Sequence, residues 1–336
     1  MSDTLINSPA SEDEAAYDRA EVAPTPPAIE TRGLRKVYNG IAAVQGLALQ
    51  VGPGEVFGFL GPNGAGKSTV VKMLTGLVRP TDGDAMLLGR PLGDREAKRR
   101  IGYLPELFRF HDWLSAREFL DVHGRLSGLS GDIRAKRIVE VLERVGLENR
   151  ADDRLRTFSK GMQQRAGLAQ AILHDPDIVF LDEPTSALDP IGRRIVRDVI
   201  RSLRDQGKTV FLNSHLLSEV EMVCDRVAIL NRGELVAIGR LDELIPGDVL
   251  VDIRLGAVDD GVRDIVAGHG KIVDLESVSR DTTVIRVLVA GDRAIAELTE
   301  TLVGAGVKIY GVTPSRPDLE DLFVELVDQS DGLDVR

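Results

Sequence analysis

Gly61–Thr69 reads GPNGAGKST, and no other stretch constrains the fold of this chain so tightly. It fits the phosphate-cradling pattern G-x-x-x-x-G-K-[ST], with Gly61, Gly66, Lys67 and Ser68 at the defining positions and Pro62, Asn63, Gly64 and Ala65 between them. Before it, Val56-Phe57-Gly58-Phe59-Leu60 is a short apolar run of buried-strand character. After it, Val70, Val71, Met73, Leu74 and Leu77 recur at helical spacing. Strand, glycine loop and helix is the arrangement an anion cradle needs. The glycines let successive N–H groups turn inward, and the helix start adds partial positive charge. In that frame Lys67 reaches the β- and γ-phosphates and the Ser68 hydroxyl ligates Mg²⁺. An ordinary Gly-rich turn would need neither flank, so the chain is expected to bind a nucleoside triphosphate.

A chain of 336 residues has room for two cored domains. Its net charge of -11 argues against a nucleic-acid partner and against direct adhesion to an anionic membrane surface. The one basic cluster, 95–100, reads as a solvated helical face. A single cysteine, Cys224, cannot close an internal disulfide, which fits a reducing compartment. No apolar run is long enough to span a bilayer, and no secretion signal opens the chain, so a cytoplasmic location is expected. Any membrane-spanning part would then belong to another chain.

Residues 1–28 are acidic and proline-containing with few large apolar groups, and read as a disordered tail. Strands follow from Ile29. Tyr38, near the end of the first, could stack on an adenine or simply pack in a hairpin. The strand at Ile101–Leu104 runs into Pro105 and Glu106. From about 107 to 165 the Leu, Arg and Glu content and the spacing of Ile138, Val141, Leu142 and Val145 predict a helical insert. It carries Phe108, Phe110 and Trp113, either small-subdomain core or an exposed docking surface. Ser159 and Gly161 open a capped helix start, which is a second anion site without a phosphate loop of its own, suited to another copy's nucleotide. Ile178–Leu181 predicts a buried parallel strand ending in Asp182-Glu183, where open α/β sheets bind ligands. Asp182 suits Mg²⁺ and Glu183 suits a base acting on water. His215, after the apolar strand 209–213, falls at the same edge. From 245 onward the order predicted is β-α-β-β-α-β, the ferredoxin-like pattern. A last helix follows, with Leu319, Leu322, Phe323 and Leu326 on one face.

With GPNGAGKST, YLPE, FSKGMQQR, IVFLDEPTSALDP and NSH in that order, the stretch from about Ile29 to Leu244 resembles the nucleotide-binding subunits of ATP-binding-cassette (ABC) transporters. The resemblance implies an α/β fold of P-loop NTPase type, a mixed-sheet core plus helical subdomain (29–244), followed by a small α+β ferredoxin-like C-terminal domain (245–336). It implies ATP and Mg²⁺ as ligands, with Lys67, Ser68 and Thr69 in the phosphate loop and Tyr38 on the adenine. Ser159 and Gly161 meet the other subunit's ATP, and Asp189 lies in the dimer-contacting loop. Asp182 is the Mg²⁺-associated acid, Glu183 the catalytic base and His215 the switch histidine. Glu106 stands where the family usually has glutamine, and Phe158-Ser159-Lys160-Gly161-Met162 stands for the usual LSGGQ. Both variants, and the C-terminal extension, resemble exporter subunits whose permease is a separate chain. The partners implied are a second copy of the subunit and an integral-membrane permease that holds the dimer against the inner face of the cell membrane. Two other classes compete. A soluble ATPase remodelling a cytosolic assembly would lack the permease, and a nucleotide-gated interaction protein would not need the Asp182-Glu183 pair.

Overall fold

The computed structural model describes residues 26–107, 110–244, 248–279, 282–315 and 318–332. Residues 1–25, which make up most of the expected acidic tail, and Phe108 lie outside the described residues. The described chain begins as a hairpin, β1 (Ile29–Tyr38) and β2 (Ile41–Val51). Its turn residues, Asn39 and Gly40, have φ of 48° and 83°. A tight hairpin demands that left-handed geometry, and Asn-Gly adopts it at low cost. The wholly buried β3 (Val56–Leu60) leads into α1 (Lys67–Leu74). Next, β4 (Asp82–Leu87) and β5 (Arg90–Pro91) extend the hairpin into an antiparallel sheet, β2-β1-β4-β5. Asp94 caps the short α2 (Arg95–Arg99), which feeds β6 (Ile101–Leu104).

The following segment is helical. α3 (Ala116–Leu126) opens with a Ser115–Glu118 capping box, and α4 (Gly131–Arg144) buries Ile138, Val141 and Leu142. Ser159 caps α5 (Lys160–Ile172). The aromatic group of this segment divides. Phe110 packs edge-on against Phe119 with ring centroids 5.6 Å apart, whereas Trp113 is 63% exposed.

Strands and helices then alternate: β7 (Ile178–Asp182), α6 (Pro190–Asp205), β8 (Thr209–Asn213), α7 (Leu217–Val223), β9 (Arg226–Asn231), β10 (Glu234–Arg240) and α8 (Leu241–Leu244). They complete a six-stranded sheet, β10-β9-β3-β8-β7-β6, parallel except for β10 at its edge. Its central strands are apolar on both faces because both faces are covered. Phe57, Phe59, Phe180 and Phe211 turn toward the antiparallel sheet and α1, while Val56, Leu60, Val179, Leu181, Val210 and Leu212 turn toward the helices. The four rings pack with centroids 5.2–5.7 Å apart around Phe211. Burying a side chain of this size stabilises by about 1.5–3 kcal/mol, so this layer clamps the strands whose ends carry the site.

The remaining sheet is built from β11 (Val249–Leu255), α9 (Asp260–His269), β12 (Lys271–Ser279), β13 (Thr282–Val289), α10 (Gly291–Gly304) and β14 (Ile309–Ser315). Its order, β12-β13-β11-β14, is antiparallel throughout and encloses a separate core, as the ferredoxin-like pattern requires. The last helix, α11 (Leu319–Gly332), goes elsewhere. Its Leu319, Leu322, Phe323 and Leu326 join the core on the helical side of the large sheet, next to α7, β9 and β10. α9 and α10 already cover the apolar face of the small sheet, so this stripe buries itself against the larger unit.

Candidate functional site

Two glycines of the loop between β3 and α1 leave no room for a side chain. Gly66 caps α1 at φ 104°, and a Cβ there would lie 2.2 Å from the Ala43 carbonyl oxygen. At Gly61 a Cβ would lie 2.2 Å from the Leu230 carbonyl oxygen. Gly64, also at positive φ, faces open space, with nothing within 4 Å of where its Cβ would stand. Lys67 is buried and donates from Nζ to the carbonyl oxygens of Gly61 (2.7 Å) and Pro62 (3.2 Å). Burial pulls its pKa down, while the charges of Glu183, Asp182 and Glu106 push the other way. Its partners are neutral carbonyls, which anionic phosphate oxygens outcompete as acceptors.

Two acids close the carboxyl end of β7. Asp182 is 2% exposed and Glu183 8%. Glu183 sits at φ 53°, a conformation uncommon for a residue with a side chain. Strand β8 holds both. The Asn213 side chain donates from Nδ2 to Asp182 Oδ1, and the Asn213 carbonyl accepts the Glu183 N–H at 2.8 Å. The Glu183 carbonyl accepts from Gln164 Nε2 (3.3 Å) and Ser186 Oγ (3.2 Å). Two residues past Asn213, half-exposed His215 places Nδ1 2.7 Å from Glu183 Oε2. Burial raises the pKa of both acids above the ordinary carboxylate range, with Asn213 drawing Asp182 back and His215 drawing Glu183 back.

That shift has a sign that can be measured. Between its unfolded and folded pKa values a raised carboxyl binds more protons in the native state, so stability falls as pH rises through that interval. Above it, the buried carboxylate is a net cost to the nucleotide-free fold. Glu183→Gln is therefore expected to melt a few degrees higher than the unaltered chain near neutral pH. The difference should vanish as pH falls to about 4.3, where an unperturbed glutamate protonates. Thermal melts without nucleotide across that range check it, and a lower melting point for the variant at neutral pH would contradict it.

These groups border one cleft of about 420 Å³, lined by Asn63, Gly64, Gly66, Lys67, Ser68 and Thr69 on one side and by Glu106, Glu183, Ser186, Asn213 and His215 on the other. The volume suits a small-molecule ligand. Gly61, Pro62 and Ala65 complete the loop without lining the cleft, and Asp182 lies behind it. A wider groove of about 960 Å³ runs along β4 and holds none of these residues. Tyr38 does not line the cleft either. It is 44% exposed, with the Lys36 ammonium 5.0 Å from its ring centroid. Ser159, Gly161 and Asp189 gather in a second place. Ser159 Oγ accepts the Met162 N–H (3.2 Å), Asp189 Oδ1 accepts the Gly192 N–H (2.8 Å), and Gly161 lies against Ala187 and Leu188. Asn213 and Ser186 also line the cleft, though no motif singles them out. For Asn213 a signal existed: it is a polar residue ending a buried strand.

Ser68, Glu106 and Asp182 offer a hard, all-oxygen donor set. Among the described residues, no group of three or more His, Cys, Asp or Glu side chains could hold a metal ion. The buried Asn213 Oδ1 has no hydrogen-bond partner among the described residues. The site therefore fits a cation that keeps waters and takes phosphate oxygens as ligands, which is how Mg²⁺ is usually held.

Comparison with known proteins agrees with this geometry. Residues 44–186 match the family model described as ABC transporter. An uncharacterized ABC transporter ATP-binding protein of Synechocystis sp. is 42% identical over 306 residues, covering 88% of this chain and 83% of the relative. Nod factor export ATP-binding protein I of Cupriavidus metallidurans is 35% identical over 302 residues, covering 89% of this chain and 96% of the relative. Among solved structures, a dimeric ATP-binding cassette in a post-hydrolysis state, bound to ADP and Pi, aligns with a TM-score of 0.59 at 28% identity, over 63% of this chain and 98% of that one. No helix among the described residues is long and apolar enough to cross a membrane. Phosphate loop, paired acids and a near full-length relative converge: the chain belongs to the family of ABC transporter ATP-binding subunits, ATPases that power transport.

Proposed function

We propose that two copies of this chain close head-to-tail over two ATP molecules, and that the closing and parting drive export through a separate membrane-spanning permease. One observation carries the reading. A single chain gathers Lys67, Glu183 and His215 around one cleft but places Ser159, Gly161 and Asp189 in another location. A second copy would bring its own Ser159 region over the first copy's cleft, completing each site from both chains.

Within a site, the loop 61–66 and Lys67 would hold the triphosphate, and Thr69 would add a hydroxyl beside the loop. Tyr38 would take the adenine on its exposed face. Ser68, Asp182 and Glu106 would hold Mg²⁺. When bound, that ion would neutralise negative charge that develops on the phosphate oxygens. Glu183 orients a water molecule for in-line attack on the γ-phosphorus and accepts its proton. The bond from phosphorus to the β,γ-bridging oxygen breaks, and ADP leaves with that electron pair. His215 steadies Glu183 and, on this reading, senses the γ-phosphate. Positioning and electrostatics rather than covalent chemistry carry such a reaction.

Export is supported by the Cupriavidus relative, which is named for it. Leu107, 83% exposed, and Trp113, 63% exposed, flank the start of the helical insert and would supply apolar surface for the permease, which would hold the pair on the inner face of the membrane. Purification from detergent-solubilised membranes tests this. A multi-spanning chain is expected to accompany the protein in stoichiometric amount, and a purely soluble companion would contradict the reading.

A further inference from the structure

We propose that Asn213 is a positioning residue for the divalent cation of this site: its amide nitrogen fixes Asp182, and its amide oxygen accepts from the cation's hydration shell. The inference rests on the reading that Asp182 and Ser68 hold Mg²⁺.

Every residue of β8 is buried, and Asn213, at its carboxyl end, is 1% exposed. A polar side chain at such depth is costly unless its hydrogen bonds are made. Half of the requirement is met inside the protein. Asn213 is the register partner of Asp182 on the neighbouring parallel strand, and the two side chains are joined by the bond from Asn213 Nδ2 to Asp182 Oδ1. The orientation of the amide follows from chemistry. An ionised carboxylate only accepts, so the group facing Asp182 is the NH₂ and the oxygen turns the other way. That oxygen is the unmet half. Two buried side-chain polar atoms among the described residues have no hydrogen-bond partner, Thr185 Oγ1 and Asn213 Oδ1, and of these two residues only Asn213 borders the cleft shared with Lys67, Ser68 and Glu106. Water on a divalent cation is a strong hydrogen-bond donor, and a buried neutral acceptor of this kind suits it without adding a further negative charge to a cleft lined by Glu106 and Glu183 with Asp182 behind it. Asn213 also anchors Glu183, but through its main-chain carbonyl. Substituting the side chain keeps that bond, so the amide can be tested alone.

The experiment uses the full chain with ADP as probe. Dissociation constants are measured in EDTA and in saturating Mg²⁺ for the unaltered protein, Asn213→Leu and Asn213→Ala. All three are expected to bind ADP alike in EDTA, since the phosphate loop is untouched. That equality also reports that the variants fold, and Asn213→Ala serves should the bulkier leucine disturb the strand. Mg²⁺ should tighten binding to the unaltered protein, and the variants should lose about tenfold of that gain, as outer-sphere partners of metal sites generally do. The Mg²⁺ concentration for half-maximal ATP turnover should rise by a similar factor while kcat at saturating Mg²⁺ changes far less. Variants that keep the full Mg²⁺ gain, or that lose affinity equally in EDTA, would overturn the assignment. An unaltered protein showing no Mg²⁺ gain would instead sink the cation reading of Asp182 and Ser68, and the assignment of Asn213 with it.

Discussion

Glu183→Gln is expected to lower ATP turnover about 100- to 10,000-fold, the range that removal of a positioned general base produces. ATP binding should persist, and the nucleotide should now hold two chains together. The variant keeps the shape of the side chain and its place at φ 53°, with the main-chain bonds to Asn213, Gln164 and Ser186 intact. What it loses is the acceptor for the water's proton and the carboxylate facing His215 Nδ1. Burial favours the neutral form of this acid, so a neutral amide adds no desolvation penalty, and the loss should fall on chemistry rather than folding. Single-turnover hydrolysis together with size-exclusion chromatography in Mg·ATP reads both halves. Turnover at the unaltered rate would remove Glu183 from the role of base.

Lys67→Ala should act on binding first. Hydrogen bonds made by a charged group are worth about 1.5–3 kcal/mol, so ATP affinity is expected to fall roughly 10- to 150-fold. The ammonium also offsets Glu183, Asp182 and Glu106 at this point in the structure, beside Lys72, which acts on Asp182, and His215, which acts on Glu183. Without it, a polyanionic ligand meets three acids with less positive charge beside them. The fold should tolerate the change, because the hydrogen bonds of Lys67 Nζ among the described residues go to two loop carbonyls. Equilibrium binding of a fluorescent ATP analogue measures it, and unchanged affinity would discredit the phosphate loop as the triphosphate site.

Much of this site could be read from the sequence because its parts are local. The loop needs glycines where carbonyls of Ala43 and Leu230 leave no space for a Cβ, and those glycines stand in a recognisable pattern. A strand buried on both faces and running into two acids is likewise visible in six letters, Ile178 to Glu183. The ferredoxin-like order was equally legible, since each of its strands and helices has its own periodicity. What stayed hidden depends on contacts between distant segments. Nothing in the neighbourhood of Asn213 says that its amide meets Asp182, 31 positions earlier, because strand register sets that pairing. The stripe on α11 announces that the helix must be buried, but not that α7, β9 and β10 supply the surface. Trp113 and Phe110 look alike in composition, and only the packing of Phe119 assigns one to the core and leaves the other exposed.

Enclosure of ATP by two chains is central to the proposed function, and complementation tests it most directly. Lys67→Ala damages the loop but spares Ser159, and Ser159→Glu does the reverse, so each variant alone should be nearly inactive. Mixed, they form hybrid pairs in which one site combines an intact loop with an intact Ser159 region. With random pairing and independent sites in a two-fold dimer, turnover per chain should recover to about a quarter of the unaltered value. A mixture no more active than its two components would contradict the enclosure of ATP between copies.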